Sequence, residues 1–272
     1  MITLAARKYL SVFKLAWIER MVYRVNFLLE IVSVIFSSVI VICLWIAIYR
    51  SSGHTALGGY TIEQMVTYLL GGGLINTFIL TTAENNETSQ SIQDGSLTSL
   101  LTLPISPYWV WFVRDLGAKA FLFALGLLGY AVVLVFTRAY LLPLPGTRQL
   151  ALFAVSLTLG SVLQFLVFES LSLLAFWVEN TYGLRFTMRV IMEVAGGAII
   201  PLSFFPPAVE TVFSLLPFPY LFYLPMQIYL GKMTAPAVFV EFAKVAAWIA
   251  CLAAVNRAVW RRGIRQYTAM GD

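Results

Sequence analysis

Long uncharged apolar runs alternate along the chain with short polar connections. A membrane-spanning helix needs about 20 mostly apolar residues, and the stretches 25–49, 62–83, 109–137, 150–178, 187–206 and 236–260 meet that requirement. The third and fourth are long enough to tilt or to project beyond the hydrocarbon. Between the fifth and sixth lies PPAVETVFSLLPFPYLFYLPMQIYLGK, equally apolar but broken by Pro206, Pro207, Pro217, Pro219 and Pro225. Proline removes a helix hydrogen bond and collides with the preceding turn. The pattern therefore predicts short helices over 206–231 that dip into the membrane from one side. They must be covered by protein, because bare backbone is not tolerated in lipid.

Residues 1–24 show a different periodicity. Ala6, Tyr9, Leu10, Phe13, Trp17 and Met21 recur at helical spacing, with Arg7, Lys8, Ser11 and Lys14 on the opposite face. This predicts an amphipathic helix lying on the inner leaflet. It does not read as a cleavable signal, since no small-residue cleavage site follows a short apolar core. A second short element lies in SIQDGSLTSLLTLPIS, residues 91–106. Asp94-Gly95-Ser96 is a turn signal with an N-cap candidate. Leu97, Leu100 and Leu101 follow on one side of a helix that Pro104 ends. The helix is too short to span a bilayer, so its leucines either cover the rest of the bundle or enter a groove on a partner.

Composition agrees with a polytopic membrane protein. Of the 272 residues 60% are hydrophobic and 11% charged, against about 25% charged in soluble domains. Residues 1–272 thus read as a single transmembrane domain without a separate soluble one. Arg and Lys set the orientation. With the N-terminus inside, Arg7, Lys8, Lys14, Arg20, Arg24, Arg114, Lys119, Arg185, Arg189, Arg257, Arg261, Arg262 and Arg265 are cytoplasmic. Arg50, Arg138, Arg148 and Lys232 are outside, and Lys244 falls within the sixth stretch. Both termini are therefore expected in the cytoplasm, at the cytoplasmic (inner) membrane. Trp45, Trp109, Trp111, Trp177 and Trp260 fall near span ends, where an amphipathic ring suits the interface; Trp248 is expected inside the bundle. Cys43 and Cys251 lie in apolar runs and are expected as reduced, buried thiols.

Several function classes are disfavoured. The net charge of +5 comes without a basic stripe interleaved with aromatics, so no nucleic-acid partner is expected. The single histidine, His54, has no Cys or carboxylate cluster beside it, which argues against a metal site. The triplet Asn86-Glu87-Thr88 matches a glycosylation acceptor by chance, in a loop placed in the cytoplasm. There is no GxxxxGK[ST] loop, GxSxG elbow or HExxH, so energy from ATP would have to come from another subunit. Embedded ionisable residues are costly and usually face protein or water. Glu193 has Arg189 four residues before it, and Glu241 has Lys244 three residues after it, so both can be locally paired. Glu169 has no basic residue one turn away; it either pairs across helices with Arg185 or Arg189 or lines a transport route. Arg114, Asp115 and Lys119 read as an interfacial charge cluster. Gly71-Gly72-Gly73 with Asn76 and Thr77 reads as close helix packing.

The order of these features resembles the permease subunits of ABC-2 type transporters, in particular the six-span family that includes daunorubicin-resistance-like efflux permeases. The residues that carry the resemblance are Ile92 to Leu97 with Leu100 to Ser106, then Pro201 to Pro206, Leu216 to Phe218 and Pro225 to Gly231. It implies an all-α integral membrane fold with six transmembrane helices, an N-terminal interfacial helix and an outward-side re-entrant helical hairpin. It also implies a cytoplasmic coupling helix that docks on an ATPase, with Ile92, Asp94, Gly95, Leu97, Leu100 and Leu101 as the coupling residues. By the same resemblance spans two and five flank a cavity, which makes Asn76, Thr77 and Glu193 path candidates beside Glu169. Phe204 and Phe205 become candidates for an exit gate, with aromatic packing as the plainer reading.

The resulting expectation is the permease half of an ABC exporter for a hydrophobic or amphiphilic cargo, itself not an enzyme. Two ABC ATPase subunits would bind ATP and Mg, and a second permease chain, identical or homologous, would complete the path amid membrane lipid. The main rival is an ion-coupled secondary transporter using Glu169; an integral membrane enzyme and a structural subunit are the others.

Overall fold

The computed structural model describes residues 2–21, 24–80 and 86–267, without the side chains of residues 2–6, 24–28, 30 and 31. The predicted end of the second span, 81–83, and the Ala6 and Arg24 side chains lie outside the described residues. The described residues are all-α apart from one small hairpin. Helix α1 (Ile2–Met21) is followed by α2 (Arg24–Ser52), strands β1 (Ala56–Leu57) and β2 (Tyr60–Thr61), and α3 (Ile62–Ile79). Then come the short α4 (Glu87–Gln93) and α5 (Leu97–Thr102), the long α6 (Pro107–Thr137) and α7 (Thr147–Ser172), and α8 (Tyr182–Ala195). The proline-rich segment forms α9 (Pro207–Ser214) and α10 (Tyr223–Tyr229), and α11 (Ala235–Gly263) completes the fold.

Among the described residues, four stretches are long and apolar enough to cross a membrane: Val32–Ser52, Pro107–Tyr140, Thr147–Phe176 and Ala235–Gly263. The other two predicted spans differ from expectation. Helix α3 has 18 residues and carries Glu63, Gln64 and Asn76. Helix α8 has 14 residues, about 21 Å at 1.5 Å per residue, short of the roughly 30 Å hydrocarbon core. The expected continuous helix over 187–206 stops at Ala195. Gly197 adopts a left-handed φ of +79°, and a Cβ on Gly196 would lie 2.9 Å from the Phe218 carbonyl oxygen. The glycine pair thus turns the chain where it touches the proline-rich segment, and Pro201 follows. That segment is broken into short helices as its prolines predict, with Pro207 in the first turn of α9.

Helix α7 lies at the centre, packed against α3, α10 and α11. The main core joins Met65, Tyr68 and Ile75 of α3 to Leu163 and Phe168 of α7, and to Leu221, Phe222 and Met226 of the proline-rich segment. The glycines of α3 permit this: a Cβ on Gly71 would sit 2.6 Å from the Met226 sulfur, and one on Gly73 would collide with the Tyr130 hydroxyl. Within the hydrocarbon region this close fit contributes through van der Waals packing rather than through removal from water.

Several residue-level expectations are corrected. Cys43 and Cys251 are exposed, because they fall on outward faces of α2 and α11. Trp45 and Trp111 are core residues, 9% and 4% exposed, whereas Trp109 and Trp177 are exposed as interfacial rings would be. Lys119 is fully buried within the bundle. Helix α1 does not merely lie on a surface. Phe13, Ala16 and Trp17 pack on α6, where Gly117 admits the Phe13 carbonyl and the Ala16 Cβ.

Candidate functional site

The short helices α4 and α5 gather with α1, the start of α6 and the end of α11 at one end of the bundle. Helix α4 packs on the 3-10 turn Leu173–Phe176 and on α7, and its polar side chains are directed inward. Thr88 Oγ1 donates to Glu169 Oε2 at 3.1 Å, and Ser89 Oγ donates to the Ser172 carbonyl at 3.3 Å. Gln93 Nε2 donates to the Glu179 carbonyl at 2.6 Å. Between the two helices Asp94 accepts from the Ser96 amide at 2.9 Å, and hydrogen bonding by the Ser96 side chain, then by its amide, holds the Asp94 carboxyl below the usual range. Gly95 takes φ +79°, and its carbonyl accepts from the Tyr267 hydroxyl at 2.8 Å. The turn predicted from Asp94-Gly95-Ser96 is therefore present, although Ser96 makes no side-chain capping bond. Helix α4 had no apolar periodicity to reveal it.

The predicted coupling residues divide between two sides. Ile92 is 6% exposed and Leu97 is 0% exposed, both packed on the bundle beside Trp111, Phe165 and Leu173. Leu100 is half-buried against the same cluster. Leu101 and Leu103 face outward, 44% and 48% exposed. The leucine face thus covers the bundle through Leu97 and leaves Leu101 and Leu103 free to meet another surface.

Beneath α4 lies a buried polar node. Lys119 Nζ is 2.6 Å from Asp115 Oδ2 and donates to Gln164 Oε1 at 2.5 Å and Ser161 Oγ at 3.2 Å. Arg185 donates to the Phe168 carbonyl and Ser172 Oγ. A cavity of about 30 Å³ is lined by Glu87, Thr88, Trp111, Asp115, Glu169 and Arg185. Glu169 Oε1 and Trp111 Nε1 have no hydrogen-bond partner among the described residues. The cavity is large enough for a water molecule, which a buried donor and acceptor of this kind call for. Glu169 is thus engaged with α4 and shares this cavity with Arg185. One further guanidinium ties the region together: Arg114 is 2.6 Å from Glu19 of α1 and 2.8 Å from Glu87 of α4.

A second, larger cavity of about 740 Å³ opens between α2, α3, α6 and the segment after α8. Its polar lining comes from Ser33, Ser37, Ser38, Asn76, Thr77 and Arg189, and its apolar wall includes Val41, Trp45, Leu69 and Ile200. Asn76 and Thr77 are brought together here as path candidates. Glu193 is next to the site through its pair with Arg189, 3.2 Å, whereas Glu169 belongs to the small cavity. Lys244 and Glu241 also pair as expected, at 2.8 Å. The family model described as ABC-2 family transporter protein matches residues 39–271. The chain belongs to the ABC-2 transporter family. No curated protein matches it. Members of this family are membrane components of transporters and generally work with ABC ATPase partners.

In this ABC-2 chain the large cavity is bounded by an aromatic cluster. The Phe204 ring meets Trp45 edge-on at 5.2 Å and Tyr60 at 6.2 Å, while Phe205 packs apart from it on Phe213 at 5.3 Å. Tyr60 is held by Tyr49, whose hydroxyl donates to its carbonyl at 2.7 Å, and by Gln227, 2.6 Å from its hydroxyl. Lys232 Nζ lies 3.2 Å from the Tyr60 ring centroid and donates to the Gly59 carbonyl at 2.7 Å. Partial burial lowers its pKa. Periodicity did not reveal this cluster, because Tyr60, Phe204 and Lys232 are far apart in sequence.

Proposed function

We propose that this ABC-2 chain is the permease subunit of an ATP-driven exporter and moves a hydrophobic or amphiphilic cargo across the cytoplasmic membrane. The observation that carries the reading is the α4–α5 pair. It is bonded to the span bundle by buried polar side chains and presents Leu101 and Leu103 outward, at the end that holds Glu19 of α1 and the residues after α11. That end faces the cytoplasm in this reading, in line with the excess of Arg and Lys there. Two ABC ATPase subunits bind ATP and Mg and receive the exposed leucines. A second permease chain, identical or homologous, closes the large cavity into a path past Asn76, Thr77 and the Arg189–Glu193 pair. Phe204 sits at its outward limit. Helix α3 and the segment from α8 to Pro206 complete six crossings, with α9 and α10 as the re-entrant hairpin. The mixed polar and apolar lining suits an amphiphile. Glu169 faces α4 and the small cavity rather than this path, which favours a coupling role over an ion-driven route.

The test is gentle extraction of tagged protein from its own membranes, with the retained proteins identified by mass spectrometry. A stoichiometric ATPase that is lost on Leu101→Asp, with cargo-stimulated ATP hydrolysis in the wild type, is the expected outcome. Retention of no ATPase by the wild type would remove the exporter reading and bring forward the ion-coupled one.

A further inference from the structure

A third cavity, of about 710 Å³, lies between the start of α6 and the last turns of α11, beside the coupling segment. It is within the size range of small-molecule sites, about 300–1,000 Å³. Its lining combines the buried Leu173 and Asn256 with the small, exposed side chains of Ala253 and Ala254 on α11. Its mouth is polar and basic. Ser106 and Tyr108 lie on one side and Arg257 on the other, and no acidic residue lines it. Arg257 is exposed and has no ion pair among the described residues. Arg261 and Arg262 follow one turn on, in the last turn of the same helix.

The start of α6 adds to the positive field. Ser106 makes no side-chain cap and Pro107 has no N–H. The Val110 amide bonds to the Ser106 carbonyl, so the Tyr108 and Trp109 amides are those without a helical acceptor, at the positive end of a 31-residue helix. Trp109, 53% exposed, and the half-buried Trp260 flank the groove and suit the depth of lipid head groups.

We propose that this groove binds one anionic phospholipid, with its phosphate between Arg257 and the first turn of α6 and an acyl chain along Ala253, Ala254 and Leu173. Charge complementarity selects the head group: a guanidinium pairs with phosphate bidentately, and basic pockets between spans at the cytoplasmic side attract anionic lipid. Which leaflet supplies the lipid rests on the orientation proposed above; the binding does not. Because Leu173 belongs to the buried cluster that also holds Leu97 and against which Leu100 packs, the lipid supports the cluster on which α5 rests.

Native mass spectrometry of the whole protein in mild detergent tests this, with phosphatidylglycerol or phosphatidylcholine of matched chains as probes. One tightly held phosphatidylglycerol is expected, with phosphatidylcholine about tenfold weaker. Arg257→Gln, at an exposed position, should abolish that preference, and Ala254→Phe should exclude both lipids by filling the groove. Equal retention of the two lipids by the wild type, or an unchanged preference in Arg257→Gln, overturns the proposal. None of these readings depends on an ATPase or on transport, so the proposal can fail while the exporter reading stands, and the reverse.

Discussion

Lys119 and Glu169 show how much a single embedded charge depends on its neighbours. Lys119 is fully buried yet surrounded by Asp115, Gln164 and Ser161. Removing one partner of such a buried pair typically costs about 3–5 kcal/mol, whereas replacing both with apolar groups is often neutral. Asp115→Ala is therefore expected to lower the unfolding midpoint in detergent strongly. Lys119→Met combined with Asp115→Leu should recover most of the loss, and simple additivity would show that the two charges do not act as a pair. Gly58 makes a separate point about backbone. Its φ is +55°, and an added Cβ would lie 2.7 Å from the Phe204 ring. Gly58→Ala should cost about 1–2 kcal/mol through the left-handed conformation alone, and it should dislodge Phe204. Unchanged tryptophan emission from Trp45, which touches that ring, would contradict the packing described here.

At the scale of elements, helix α5 separates two environments that its leucine pattern could not. Leu97, Leu100 and Leu101 share a side of the helix by spacing, yet Leu97 is fully buried and Leu101 is 44% exposed. Leu97→Asp should destabilise the protein by roughly 2–5 kcal/mol, as a buried leucine lost and a charge left in the core. Leu101→Asp should leave the unfolding midpoint within about 0.5 kcal/mol of wild type while releasing the ATPase. If both substitutions acted only on stability, the outward leucines would have no docking role. The elements themselves were legible where the physics is local. Four of the six apolar runs became helices long enough to cross a membrane, the prolines of 206–231 broke theirs, and Asp94-Gly95-Ser96 made its turn. What the sequence left out depends on contacts between distant segments. Helix α4 is polar where Thr88 and Ser89 meet α7, and a helix ends at Gly196 because Phe218 and Phe222 press against it. The depth of Lys119 and the exposure of Cys43 likewise follow from which face of a uniformly apolar helix turns inward. That choice leaves little mark in a run without polar residues.

For the whole molecule, orientation and assembly are the properties to test. With the exposed Cys43 and Cys251 replaced by alanine, a single cysteine at Ser96 should react with a membrane-impermeant maleimide only after the inner face is opened. One at His54 should react in intact cells. The reverse pattern would invert the topology and move the coupling segment outside. Helix α6 connects these levels. Its 31 residues extend about 46 Å at 1.5 Å per residue, well beyond the roughly 30 Å hydrocarbon core. Near one end Arg114 is fastened to α1 and α4; further along, Tyr130 stands in the wall of the large cavity. If the exporter reading holds, a rod fixed in this way would act as a crank. A push on α4 would turn it, and the stroke would arrive about 24 Å away, at Tyr130, without any intervening segment having to unfold. Helix α1, fastened at the same bearing, would swing with it.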